Sequence, residues 1–177
     1  SLTGANLAGA RLSGADLGGA ALDQANFSGA ALVGTRLVSA KLDQAVLTGA
    51  NLAEARLDRA ALAQANLSQA DLRGARLYQA ILTGANLSRA NLSQATLTQA
   101  DLTDAQLPSA DLNGAVLSRA ILEDAVLRGS SLRGAKLDGA NLLSADFTGA
   151  DLAEATLADA RVDGARFTDA RLDSTIW

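Results

Sequence analysis

Asp101 and Asp104 stand three residues apart, and Glu123 and Asp124 follow as neighbours, with Asp104 and Asp124 separated by 20 residues. Such a set offers hard oxygen ligands to a divalent cation, or a negative surface to a basic partner. Arg36, Arg56 and Arg76 recur at the same interval, with Arg59 among them. Guanidinium groups in a row suit phosphate or an acidic surface. Gln24, Gln44 and Gln64 repeat in step as well, and amides can hydrogen-bond to one another. Gly9 and Gly14, and again Gly129 and Gly134 with Lys136 close behind, have the glycine spacing of a phosphate-binding loop. In both, Ala stands where that loop requires Lys, and no helix start follows. Asn26-Phe27-Ser28 and Asn66-Leu67-Ser68 match a glycosylation acceptor, but both arise from a short repeat and carry no weight.

What is missing narrows the chemistry further. The 177 residues contain no His and no Cys. The commonest general base, the commonest metal ligand, disulfides and thiolate sites are thereby excluded. No catalytic residue, cofactor or metal site is expected, and the chain is read as a non-enzyme. A net charge of −4 is mildly acidic and gives no argument for nucleic acid, and aromatics at 3% leave few groups to stack on bases. No apolar run approaches the roughly 18 residues of a membrane span, and nothing resembles a signal peptide. No membrane association is expected, and the cytoplasm is the expected compartment. The chain begins within a repeat and without Met, so it is read as one domain, 1–177, belonging to a longer protein.

The elements that position these side chains follow from a period of five. Leu occupies position 2 and every fifth residue to 172, with Phe27, Phe147, Val162 and Phe167 as the exceptions. Ala occupies every multiple of five, with Thr35, Ser130 and Thr175 as the exceptions. On an α-helix five residues advance about 500°, so the Leu column would define no face. On a straight strand an odd spacing sends successive Leu residues to opposite sides. Ala and the following Leu are two apart, however, so a short extended segment points both the same way. The two residues after Leu must then turn the chain. Fifteen of the 35 second turn positions are Gly, which supplies the positive φ of a type II turn. Pro108 takes the first turn position, where its fixed φ is compatible. A chain that corners every five residues winds into a coil whose backbone pairs with the coils above and below. Leu72, Leu77, Leu82, Leu87, Phe27, Phe147 and Phe167 are expected in its interior, and Ile176 with Trp177 as a C-terminal cap. The period alone leaves the number of sides per coil open.

These residues resemble the pentapeptide-repeat family, whose pattern is Ala-(Asp/Asn)-Leu followed by two variable residues. It stands here as Ala5-Asn6-Leu7, Ala15-Asp16-Leu17, Ala70-Asp71-Leu72, Ala85-Asn86-Leu87, Ala110-Asp111-Leu112 and Ala150-Asp151-Leu152. The resemblance runs the length of the chain, and the uniform Leu and Ala look most like cyanobacterial members or a consensus-like sequence. It implies an all-β fold, a right-handed quadrilateral β-helix with four pentads per coil. Thirty-five pentads would then make almost nine coils, a rod roughly 40 Å long.

With four pentads per coil, residues 20 apart stack on one side. The Gln column, the Arg ladder and the acidic group each read most simply as solvated surface, with contact to a protein partner as the functional alternative. A rod without loop insertions has no cleft to raise a carboxylate pKa for acid–base work. The leading functional expectation is therefore a scaffold that presents rigid sides to an unidentified protein partner. An alternative follows from the resemblance, since some members mimic B-form DNA and inhibit type II topoisomerases such as gyrase, giving quinolone resistance. The six cations sharing the Arg-bearing side and the lack of projecting loops and of a C-terminal dimerisation helix weigh against it. A second alternative is a spacer or an engineered consensus scaffold. Open coil ends expose unpaired strand edges, so end-to-end self-association, or coverage of the ends by further chain, is also expected.

Overall fold

The computed structural model describes all 177 residues. Parallel bridges join residues 20 apart in an unbroken series from Asn6 with Asn26 to Thr156 with Ile176. Four pentads therefore complete each coil. The sides are numbered by the first coil, the first side opening at Ser1, the second at Asn6, the third at Arg11 and the fourth at Asp16, each recurring every 20 residues.

The backbone explains why this pattern is stable. In the pentad Arg76 to Ala80, the Arg76 N–H donates to Ala55 O (2.9 Å) in the coil before. Leu77 and Gln79 donate to Thr96 O (2.7 Å) and Thr98 O (3.1 Å) in the coil after. Ala80 closes the corner on Leu77 O at 3.0 Å. Only the N–H of the third residue, here Tyr78, has no backbone acceptor, and the same position is left free throughout the chain. An orphaned donor is costly, and the residue before Leu supplies its acceptor. Asn91 Oδ1 accepts from Ser93 N–H (3.0 Å) and from its hydroxyl (2.8 Å), and Asp101 does the same for Thr103. This is the physical reason for Asn or Asp before Leu. A second arrangement serves where that residue differs: Asp43 Oδ1 accepts from Ala63 N–H at 2.9 Å, one coil on. Pro108 sits at the third position and so removes the one N–H without a backbone partner.

Each corner demands a left-handed residue at its fourth position. Glycine meets the demand in 15 pentads, but the other 20 adopt it too, Gln79 at φ 55° and Arg89 at φ 58° among them. Side chains with a Cβ accept that conformation at about 1 kcal/mol each, and the interlocked coils hold them there. The sequence accounts for the positive φ at the 15 glycine corners; the coil imposes the same geometry on Gln, Arg, Asp, Ser and Glu at the other 20.

Leu and Ala, with Phe27 and Phe147, form one buried cluster of 53 residues. Leu72, Leu77, Leu82 and Leu87 are wholly buried, as are Phe27 and Phe147. Phe167 is only partly buried, because it lies in the last coil. Its ring stacks on Phe147 at 5.1 Å, and Trp177 meets it edge-on at 5.6 Å. Where a hydroxyl replaces the Ala methyl it finds a carbonyl. Thr35 donates to Leu12 O at 2.8 Å, Ser130 to Leu127 O at 2.7 Å and Thr175 to Leu152 O at 3.0 Å.

Candidate interaction surfaces

The interior is filled, no pocket opens in the surface, and no three carboxylates converge on a common point. Whatever the molecule recognises must meet its sides. The column before Leu and the two corner columns face outward, and their composition differs from side to side.

The fourth side carries the Arg ladder, and the bridges pair Arg36 with Arg56 and Arg56 with Arg76. The ladder is not a free row of cations. Arg36 is paired with Asp16 at 2.7 Å, Arg76 lies 3.5 Å from Asp58, and Arg59 donates to Gln79 Oε1 at 3.2 Å. Gln79 continues to Gln99 at 2.9 Å. Gly18 leaves room for the Arg36 guanidinium, which a Cβ there would strike. Hydrogen bonding from Gly18 N–H, then from Arg36, holds the Asp16 carboxyl below its ordinary range. Asp58 is buried, and its Oδ1 meets Arg76 only as an ion pair, without a hydrogen bond.

Several charges on the second and third sides are paired in the same manner. Arg73 chelates Asp71 at 2.7 Å, lowering that carboxyl. Arg133 bridges Asp151 (3.5 Å) and Glu154 (3.2 Å), and Arg171 pairs with Asp173. On the second side Asp146 accepts from the Thr148 hydroxyl and N–H and from Arg128 at 2.7 Å. These bonds, the Thr148 hydroxyl foremost, bring its pKa down to about 2.

The first side is different. It bears seven carboxylates against Lys41 and Arg161, and none of the ion pairs in the molecule involves it. The sequence-predicted acids fall together here, Asp101 and Asp104 in one coil and Glu123 and Asp124 in the next. Asp101 is engaged by Thr103, and Glu123 Oε2 accepts from Asn141 Nδ2 at 3.2 Å. Asp104 and Asp124 are exposed, and no hydrogen bond reaches their carboxylates. Gln24 donates to Gln44 at 3.3 Å lower on the same side, so part of the expected amide column forms.

Sequence reasoning passed over two residues on this side. Ile81 is 45% exposed and Ile121 39%, above and below Asp101 in one column. Their signal is legible in retrospect, as an aliphatic residue before Leu where Asn or Asp would cap the corner. At the C-terminal end, Ile176 and Trp177 remain 58% and 57% exposed. They extend the ladder and cover Phe167 from one edge, an incomplete lid.

Four short sides per coil, a hydrogen-bonded corner after each and an interior of Leu and Ala define a quadrilateral β-solenoid, a class that displays sides and encloses no cavity. The family model for pentapeptide repeats matches in 8 copies, over residues 1–37, 30–69, 40–79, 80–119, 110–149 and 145–176. Among solved structures, HetL, a pentapeptide repeat protein involved in heterocyst differentiation regulation from the cyanobacterium Nostoc sp. strain PCC 7120, is 34% identical. That match covers 96% of this chain and 81% of HetL, with a TM-score of 0.46. A pentapeptide repeat protein of the Arabidopsis thaliana thylakoid lumen is also 34% identical over 69% of this chain and 71% of its own, with a TM-score of 0.40. QnrB1, a plasmid-mediated fluoroquinolone resistance protein, is 22% identical over 96% of this chain and 90% of its own, with a TM-score of 0.43. No curated protein matches the chain. The chain belongs to the pentapeptide repeat family, and its coil is the right-handed quadrilateral β-helix of that family. No helix in it is long and apolar enough to cross a membrane.

Proposed function

We propose that this protein is a non-catalytic scaffold whose flat sides dock a protein partner. The observation that carries this reading is the division between a monotonous interior and a varied exterior. Leu and Ala fill the buried columns with only a few Phe, Val, Thr and Ser exceptions, whereas charge and polarity on the outer columns change from side to side. A surface already ordered by its backbone ladder loses little conformational freedom on binding. The test is capture by the immobilised chain from its native source, competed by the same chain free in solution. A reproducible partner displaced by the competitor is the expected result. Absence of any displaceable partner would overturn the reading.

The unpaired carboxylates of the first side also favour a second reading, inhibition of gyrase by mimicry of DNA. The six cations of the fourth side, including Arg36, Arg56, Arg59 and Arg76, oppose it. Supercoiling that proceeds unchanged at micromolar protein would remove it.

A further inference from the structure

We propose that the first side, between Ile81 and Ile121, docks a basic amphipathic α-helix of the partner, lying along the rod; this rests on the scaffold reading above. Two observations converge there. Ion pairs engage seven of the twelve carboxylates on the other sides, but none of the seven on the first side has an intramolecular cation against it. Charges left without counter-charges in adjacent coils repel one another, and a cationic partner relieves that repulsion. The same stretch exposes Ile81 and Ile121, whereas away from the chain ends the other three sides expose only one comparable side chain, Val33 on the third side. Surface aliphatics rimmed by charge have the composition of a docking site.

Geometry selects the form of the partner. An added strand needs free backbone donors and acceptors, and along the sides these are committed to neighbouring coils. Recognition must therefore run through side chains. Ile81 and Ile121 are two coils apart, about 9.6 Å at the usual strand spacing. Residues i and i+7 of a helix are about 10.5 Å apart along its axis, a close match. Two apolar residues in that register rest on the isoleucines. A Lys or Arg at i+3 or i+4 then falls opposite Asp101, and cations along the helix flank meet Asp104 and Asp124 at the corner. Nucleic acid and acidic proteins are repelled by the same charges.

The probe is a synthetic helix with leucines seven apart and lysines along both flanks, titrated into the full chain by fluorescence anisotropy at low and high salt. Ile81→Thr with Ile121→Thr keeps the β-branched shape, so the coil persists, and is expected to weaken binding about tenfold with the salt dependence unchanged. Asp104→Asn with Asp124→Asn should weaken binding and flatten its salt dependence. Val33→Thr should leave both as they are. Affinity unaltered by the isoleucine pair, or equal affinity for a peptide with the leucine spacing scrambled, overturns the proposal. Repeating the capture experiment with the isoleucine pair separates the two readings. A partner still held by that variant sinks the docking side and leaves the scaffold standing, whereas a partner lost by it and kept by Val33→Thr supports both.

Discussion

Truncation of one interior leucine should cost far more in the middle of the rod than at its open end, even though the pentads are chemically alike. Leu17 and Leu77 belong to the same interior column, since their positions differ by three coils of 20 residues. Leu77 is wholly buried between Leu57 and Leu97, whereas Leu17, in the first coil, is only partly buried. Removing the outer carbons of a buried Leu costs 2–5 kcal/mol, and the value within that range depends on how far the surroundings close in. Closure is poor here. The coils on either side of Leu77 are held by backbone bonds, Leu57 N–H to Arg76 O at 2.6 Å and Leu77 N–H to Thr96 O at 2.7 Å, which fix the spacing between layers. Leu77→Ala is therefore expected to lose about 3–4 kcal/mol. Leu17→Ala should lose roughly 1 kcal/mol, because part of its surface is already wet and the end coil frays without dissolving its neighbours. Urea titrations of both variants, followed by the β signal in circular dichroism, measure the difference directly. Equal shifts in midpoint would refute the reasoning, since they would mean that the layers do not confine one another.

Four further outcomes are expected. Asp146, with its folded pKa near 2 against an ordinary 3.8, contributes stability that is full above about pH 4 and disappears as pH falls through 2. Arg128 is solvated, so Asp146→Asn should lose on the order of 1 kcal/mol at neutral pH and nothing near pH 2; urea midpoints that differ equally at both pH values would contradict this. Gly49→Ala should lose about 1 kcal/mol although the new methyl would meet no neighbour, because φ there is 63°; an unchanged melting temperature would remove the claim of backbone strain. Asn91→Ala should lose about 1 kcal/mol by orphaning the Ser93 N–H, and Asn91→Asp should not, a contrast that thermal melting resolves. Leu77→Asp should abolish the coil by burying a charge while Thr83→Asp leaves it intact, and similar circular dichroism for the two would reverse inside and outside.

The inside–outside division was legible because only a corner every five residues lets Ala5 and Leu7 point the same way through the whole chain. The number of sides was not legible from that period. It rests on pairing between residues 20 apart, which no local preference encodes. The turn at Gly49 could be read from its residue type, but the same turn at Gln79 could not, because Gln has no intrinsic preference for positive φ and the coil overrides it. Asn and Asp before Leu were visible as a pattern, whereas their task appeared only once the free N–H of the third residue was known. The Arg ladder showed its spacing but not which of its members are paired with carboxylates. Asp58 reaches Arg76 across a coil boundary, and neither the period nor the composition predicts that contact. On the first side the charges could be counted from the sequence, but their lack of partners emerges only when every cation has been placed.

The coincidence of a five-residue period with a 20-residue stack has a consequence for how such chains diversify. Duplicating or deleting one pentad keeps every Leu indoors, so the coil survives, yet each downstream residue rotates by a quarter turn. Asp104 would then stand over what had been a neighbouring side, and a coherent stripe would become a scrambled one. Gain or loss of four pentads lengthens or shortens the rod while preserving its colouring. Stability thus tolerates steps of five, whereas recognition tolerates only steps of 20, and length polymorphism among relatives that share a partner should obey the coarser quantum.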